Sequence, residues 1–409
     1  MSFELRPIVA DEFLAFGHAT GTGFGDPGKD EEIEEERPLI DLDRTLAAFD
    51  GSRIVGTGVL YSFELTLPGA TRIPAGGVSW ISVLPTHRRR GILTAIMRRQ
   101  LADMRERGEP VGLLYASESV IYGRFGFGVS TMHTDYEIGT HHARFAHHPP
   151  FDGVVEFIDR EEASSILPEV WDRAGAEQPG FLTRSRAEWD YYLRDPARWA
   201  HGASKRFYVV YRAQSGEVDG YAAYRIKENW TGGFAENSLQ LVGLIALNDA
   251  ARTALWKYVL SVDLVTKVEA HDMPNDDPIR WMLADPRRLR VKHFGDSLWT
   301  RVIDIPAALS ARRYAAEGSL TLEVHDRFCP ENSGTYRLEG GADGATCARS
   351  SVAPDLTMEA ADLGAAYLGG TRFTDLARAG RVFERSPGAV RRADGIFQCI
   401  PAPWCPRGF

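Results

Sequence analysis

The stretch with the most chemistry is "VSWISVLPTHRRRGILTAIMRRQL", Val78 to Leu101. An apolar run is stopped by Pro85. A turn with Arg88, Arg89, Arg90 and Gly91 follows, and then an amphipathic segment with Ile92, Leu93, Ile96, Met97, Leu101 and Met104 on one helical face. The first N–H groups of a helix have no internal partners, and the helix dipole adds positive potential there. Together they form an anion site. Gly91 lets a phosphate approach the backbone, and the arginines add charge and forked donors. A basic turn before a helix is more often simply solvated. Its place between two strands, with "VGLLYAS" after the helix, makes it more specific.

The elements around it read as α/β. "ADEFLAFGHATGTGF" is a helix running into a Gly-rich loop, and "RTLAAFDGSRIVGTGVLYSFEL" a hairpin turning at Asp50-Gly51. "STMHTDYEI" is a further strand of this first region, residues 1–145. Residues 146–295 repeat the theme loosely: "RFYVVYRAQSGEVDGYAAYRI" is a hairpin, "LQLVGLIALNDAARTALWKYVL" a strand and helix, and "KVEAHDM" the strand after it. Residues 296–409 read as α+β. "LWTRVIDIPAALSARRYAAEGSLTLEVHD" gives strand, helix and strand, "GTYRLEGGADGATCARS" a hairpin, and two short helices follow.

Composition narrows the function classes. The 409 residues exceed one ordinary core. The net charge of -9 argues against nucleic acid and leans towards cationic ligands, although plain solubility explains it as well. No run reaches the ~18 apolar residues of a membrane span. The N-terminus lacks the pattern of a signal peptide. Cys329, Cys347, Cys399 and Cys405 form no C-x-x-C pair, so zinc is not expected, and reduced thiols in a cytoplasm are. The acidic run "DPGKDEEIEEERP" is either a solvated segment or a rim that attracts polyamines.

Strand, Pro, "HRRRGIL", helix and strand resemble the coenzyme A pyrophosphate loop of GCN5-related N-acetyltransferases (GNAT). Their pattern Arg/Gln-x-x-Gly-x-Gly/Ala is met by Arg88 and Gly91, while Leu93 departs from its last position. With "LYASESVIYGRFGFG", "ELTLPG", "DGYAAYRI", "AAYLGG" and a final Phe, the whole chain resembles the enhanced intracellular survival (Eis) family of actinobacterial acetyltransferases.

The resemblance implies tandem GNAT-like domains, each a mixed sheet flanked by helices, and a C-terminal sterol-carrier-protein-like domain. It also implies a homohexamer. For acetyl-CoA it implies Ile81, Ser82 and Val83 along the pantetheine, Arg89, Arg90, Gly91, Ile92, Leu93 and Thr94 at the phosphates, and Ser117 and Glu118 beyond the second strand. It implies Tyr122 as general acid and the α-carboxylate of Phe409 as general base. An α-carboxyl with pKa about 3.3–3.7 is ionised at neutral pH and can take a proton. Phe24, Asp26 and Trp80 fall where the family lines its amine pocket, suited to a cation. Gly408 departs from an acidic residue of family members. The expected substrate is an aminoglycoside-like or other polyamine. The alternatives are a protein lysine, or a lipid carrier acting through the C-terminal domain. In the second domain "IALNDAARTAL" replaces "LPTHRRRGIL", so one coenzyme site per chain is expected, in residues 1–145.

Overall fold

The computed structural model describes residues 3–141 and 143–409. The chain divides into two compact units, residues 1–131 with 297–409, and residues 132–296. Along the first segment run β1 (Glu4–Arg6), α1 (Phe13–Phe24), α2 (Asp30–Glu36), β2 (Thr45–Asp50), β3 (Arg53–Thr66), β4 (Arg72–Val83), α3 (Ile92–Glu106), β5 (Val111–Tyr115), α4 (Ser119–Tyr122) and β6 (Gly128–Val129). The second unit holds β7 (Met132–Gly139), β8 (Val154–Ile158), α5 (Arg160–Glu177), α6 (Arg186–Arg194), β9 (Phe207–Arg212) and β10 (Val218–Lys227). It continues with β11 (Trp230–Thr231), β12 (Phe234–Ala235), β13 (Asn237–Ala246), α7 (Asp249–Leu260), β14 (Val265–Met273), α8 (Ile279–Met282) and β15 (Leu289–Asp296). The final segment has β16 (Leu298–Val302), α9 (Ile305–Ala311), β17 (Gly318–His325), β18 (Gly334–Gly341), β19 (Gly344–Arg349), β20 (Leu356–Glu359), α10 (Ala360–Ala366), α11 (Phe373–Arg378), β21 (Val382–Glu384) and α12 (Ala389–Phe397).

The first sheet has the order β1-β2-β3-β4-β5-β16-β6, and only β4 and β5 run parallel. The second has the order β15-β7-β14-β13-β10-β9-β8, and the C-terminal sheet β19-β18-β17-β20-β21. The chain therefore changes sheets earlier than the expected boundary near 145. "MHTDYEIG" is β7 of the second sheet, paired to β14 and β15. "LWTRV" is not part of the C-terminal sheet but β16 of the first, wedged between β5 and β6. Each of these strands is apolar enough for either sheet, and pairing partners are not encoded in a strand's own pattern.

Alternation sets which face meets which helix. Leu46 and Ala48 of β2 pack with Ile92 and Ile96 of α3, while Ala47 and Phe49 pack with Phe13 and Phe16 of α1. The α1 helix continues through Gly21 and Gly23, residues expected to form a loop, because its end lies tight against other backbone and against Ser82. The α3 helix buries Ile92, Ile96, Met97, Leu101 and Met104 as its periodicity requires, together with Gln100.

A buried ion pair ties the start of β2 to the turn before β5. Arg44 donates from Nη1 and Nη2 to the two carboxylate oxygens of Glu109, each at 2.7 Å. Glu109→Ala would leave the buried Arg44 with only the longer pair to Asp103, at 3.5 Å, and its bond to Ser62, so stability should fall by about 1–3 kcal/mol. Urea denaturation would measure this, and a loss within experimental error would contradict it.

Candidate active site

The β4 and β5 strands pair from Ala75–Val111 to Val78–Leu114 and no further. Their parting coincides with a bulge in β4: Ser79 lies opposite Val59 and Ser82 opposite Thr57, so β4 carries one extra residue. Bulges bend the strand that holds them. Trp80 sits in this bulge with a left-handed φ of 52°, and its carbonyl accepts from Thr57 Oγ1 at 2.9 Å. Past Val78, the edge of β4 that faced β5 has no strand partner among the described residues. A cavity of about 660 Å³ opens there, and Ile81, Ser82 and Val83 line it.

Its second wall is the turn into α3. Arg89, Gly91, Ile92, Leu93 and Thr94 line the cavity. Gly91 is the residue before the helix, with φ 83°, and no side chain caps the first-turn N–H groups. A glycine suits that conformation, which other residues adopt at a cost of roughly 1–2 kcal/mol. Arg88 braces the turn, donating to Gly23 O at 3.2 Å and Val83 O at 3.4 Å. His87 is held between Thr86 and Asp50 and also faces the cavity. Arg90, expected with the phosphate ligands, is exposed and outside the lining.

The third wall follows β5. Ser117, Glu118 and Tyr122 line the cavity, with Ile121 and Arg124 beside them. Tyr122 is buried and packs edge-on to Phe127 at 6.4 Å between ring centres. Burial pushes its phenol above the ordinary value, the charge of Glu118 pushes the same way, and a hydrogen bond with Ser117 opposes both. A phenol so placed keeps its proton through neutral pH and remains a donor.

Phe24, at the end of α1, projects at the cavity mouth and is 61% exposed. Asp26 lies outside the lining: its carboxylate accepts from Gly28 N at 3.0 Å and shapes the turn. Trp80 also lies outside it, stacked on Phe16 at 6.0 Å and near Phe13 at 6.3 Å. The ring of Phe409 rests on β3, β4 and β5, with ring-centre distances of 6.2 Å to Tyr61, 4.8 Å to Phe63 and 5.3 Å to Tyr115. It fits because β4 has Gly77 there: a Cβ would lie 2.4 Å from the Phe63 ring and 2.9 Å from that of Phe409. Tyr115 Oη donates to Arg407 O at 2.5 Å, and Trp404 and Cys405 are buried. The last residues are thus fastened to the sheet near where β4 and β5 begin to part, but Phe409 is not among the residues that line the cavity. Tyr61, Phe63 and Tyr115 were not singled out from sequence, since alternating aromatics in strands ordinarily read as core.

In the second unit the corresponding helix start differs. At α7, Asn248 caps the first turn by accepting from Ala251 N at 2.9 Å, and Asp249 adds negative charge. Arg252 is engaged by the buried Asp277, 2.9 Å away.

Residues 4–130 match the acetyltransferase (GNAT) domain family, residues 180–302 match a second acetyltransferase (GNAT) domain family, and residues 305–406 match the sterol carrier protein domain. An uncharacterized N-acetyltransferase of Streptomyces avermitilis is 38% identical over 412 residues, all of both chains. N-acetyltransferase Eis of Mycobacterium tuberculosis is 32% identical over 376 residues, 88% of each chain. The chain belongs to the Eis family of GNAT N-acetyltransferases. Among solved structures, Eis1 from Mycobacterium abscessus superposes with a TM-score of 0.88 at 33% identity, covering 99% of this chain and all of that one. The protein is accordingly an acetyltransferase with two GNAT domains and a sterol-carrier-like domain, as the sequence led us to expect. GNAT acetyltransferases use acetyl-CoA, and an Eis-like chain with an uncapped helix start, a left-handed Gly91 and an open β4 edge has the parts to hold its pyrophosphate and pantetheine. No helix among the described residues is long and apolar enough to cross a membrane.

Arg89→Ala should weaken acetyl-CoA binding by about tenfold, the loss of one charge-assisted phosphate contact. Isothermal titration calorimetry would read it, and an unchanged Kd would move the phosphate site elsewhere.

Proposed function

We propose that this chain transfers the acetyl group of acetyl-CoA to a primary amine of a multi-amine substrate, an aminoglycoside or another polyamine. The observation that carries the reading is the meeting of an uncapped helix start, an open strand edge and a buried tyrosine on one cavity. The bound donor supplies an activated thioester. Arg89, Gly91, Ile92, Leu93 and Thr94 hold its phosphates, with Arg90 contributing charge from outside the lining. Ile81, Ser82 and Val83 lie along its pantetheine arm, and Ser117 and Glu118 flank it.

The amine arrives at the Phe24 side; the acidic helix α2 follows in sequence, with Asp30, Glu32 and Glu34 already paired to His18, Lys29 and Arg37. His18 fastens the loop before α2, with Nδ1 2.9 Å from Pro27 O and Nε2 2.7 Å from Asp30 Oδ1. Asp26 and Trp80 act on the substrate indirectly, by shaping that loop and the β4 bulge. An alkylamine has a pKa of about 10 and must shed a proton before it attacks. The carboxylate of Phe409 takes that proton, directly or through water. As the new N–C bond forms and the C–S bond breaks, Tyr122 gives its phenolic proton to the departing thiolate, and the second proton that the nitrogen loses restores the phenol. One such site operates per chain, in residues 1–145. A homohexamer is carried over from the family resemblance and a cytoplasmic setting from the cysteine usage, and light scattering would read the former.

Tyr122→Phe should lower kcat by about 10²–10⁴ while acetyl-CoA still binds, since only the proton donor is lost. Thiol release in the presence of kanamycin would measure turnover, and an unaltered rate would remove Tyr122 from the mechanism. Because the Tyr122 pKa is raised, its deprotonation should cause no fall of kcat below about pH 10. Extending the chain beyond Phe409 with a tag should abolish turnover while acetyl-CoA still binds; removing Phe409 should do the same and also lower the melting temperature, because its ring packs on Tyr61, Phe63 and Tyr115. A fully active tagged protein would exclude the terminal carboxylate.

A further inference from the structure

On the same helix that carries the phosphate turn, but along its later half, lies a second cavity of about 360 Å³. Its walls are α3, β16 and the loop at 328–331. Arg98, Leu101, Ala102 and Arg105 stand at helical spacing on the wall formed by α3. Opposite them are Arg301 of β16 and Phe328.

Arg301 is the unusual group. Its side chain is 1% exposed, and Nη2 pairs with Asp326, which is equally buried. Asp326 is shared among other donors: the N–H groups of Phe328 and Cys329 reach Oδ1 at 3.2 and 2.9 Å, and Asn332 Nδ2 reaches Oδ2 at 3.4 Å. Among the described residues, Arg301 Nε and Nη1 are buried without an oxygen acceptor; Nη1 packs against Gly126, and the Cys329 thiol interacts with the guanidinium. A buried guanidinium left in this state is unfavourable unless a further acceptor meets it.

The surroundings supply two further guanidinium groups. The guanidinium of Arg98 lies 5.4 Å from the centre of the Phe328 ring. Arg105 donates to Ile303 O at 3.0 Å and lies 3.7 Å from Glu331. Three arginines thus stand with three carboxylates, Asp326 on Arg301 and Glu106 and Glu331 at the cavity, while Leu101, Ile303, Phe328 and Pro330 supply apolar surface. Cys329 is no competing charge, because burial pushes its thiol above the ordinary value against the opposing pull of Arg301.

We propose that this cavity binds a small organic monocarboxylate, its carboxylate read by the arginine cluster and its apolar body resting on Phe328, Ile303 and Leu101. Forked N–H donors match a carboxylate, and the apolar wall disfavours a bare inorganic ion. The site is separate from the acetyl-transfer cavity and does not depend on that reading.

Calorimetry on the full chain, without acetyl-CoA, would test it with phenylpropionate, phenylpropanol, phenylpropylamine and inorganic phosphate. We expect one phenylpropionate per chain, with the other three weaker by at least about tenfold, the worth of a charge-assisted pair. Ala102→Trp should fill the cavity and remove binding. Arg98→Ala with Arg105→Ala should weaken it while leaving the Arg301–Asp326 pair intact. Melting temperature and acetyl-CoA affinity would show that each variant is folded. Equal affinity for the alcohol, binding of phosphate alone, binding that survives Ala102→Trp, or no heat with phenylpropionate in the millimolar range would each overturn the proposal.

Discussion

Two parallel strands cannot part inside a sheet without exposing backbone donors and acceptors. In this chain β4 and β5 do part, at Val78 and Leu114, and the neighbouring features are arranged around the edge so exposed. The bulge at Trp80 bends β4 and sends the indole into the α1 core, where Phe13 and Phe16 hold it. The turn into α3 brings uncapped helix N–H groups to the same opening, and Arg88 clamps that turn to α1 and β4. A gap in a hydrogen-bonded ladder thereby becomes a groove matched to a ligand with its own amides and phosphates.

The C-terminal segment completes the arrangement from a distance in sequence. After α12 the chain returns to the first sheet; the ring of Phe409 packs against it, and Trp404 and Cys405 are buried. A terminal residue is ordinarily frayed. Here three aromatic neighbours and the Tyr115 hydrogen bond to Arg407 hold it near the point where β4 and β5 separate. The insertion of β16 between β5 and β6 joins the later residues to the same sheet and makes the second cavity, since Arg301 belongs to β16 and faces α3.

Much of this was legible in the sequence because local physics dictates it. Pro85, the arginine run and Gly91 mark a strand end and a helix start, and the apolar face of α3 follows its period. Most residues expected at the coenzyme line one cavity. What the sequence concealed is long-range. The exchange of "MHTDYEIG" and "LWTRV" between sheets depends on pairing partners, not on the strands' own patterns. Trp80 and Asp26 were read as pocket residues because an aromatic and a carboxylate near a site invite it. A positive φ in a bulge and a carboxylate turned onto the N–H two residues on are three-dimensional facts that a residue type does not announce. The aromatic bed of Phe409 was hidden for the same reason.

The central claim is that the parted strands and the uncapped α3 start form a single donor site per chain, while the capped, acidic start of α7 forms none. Counting acetyl-CoA by calorimetry on wild type and on Ser117→Trp, which would obstruct the groove, tests it most directly. The account predicts one equivalent per chain for the wild type and none for the variant. Two equivalents, or one equivalent that survives Ser117→Trp, would contradict it.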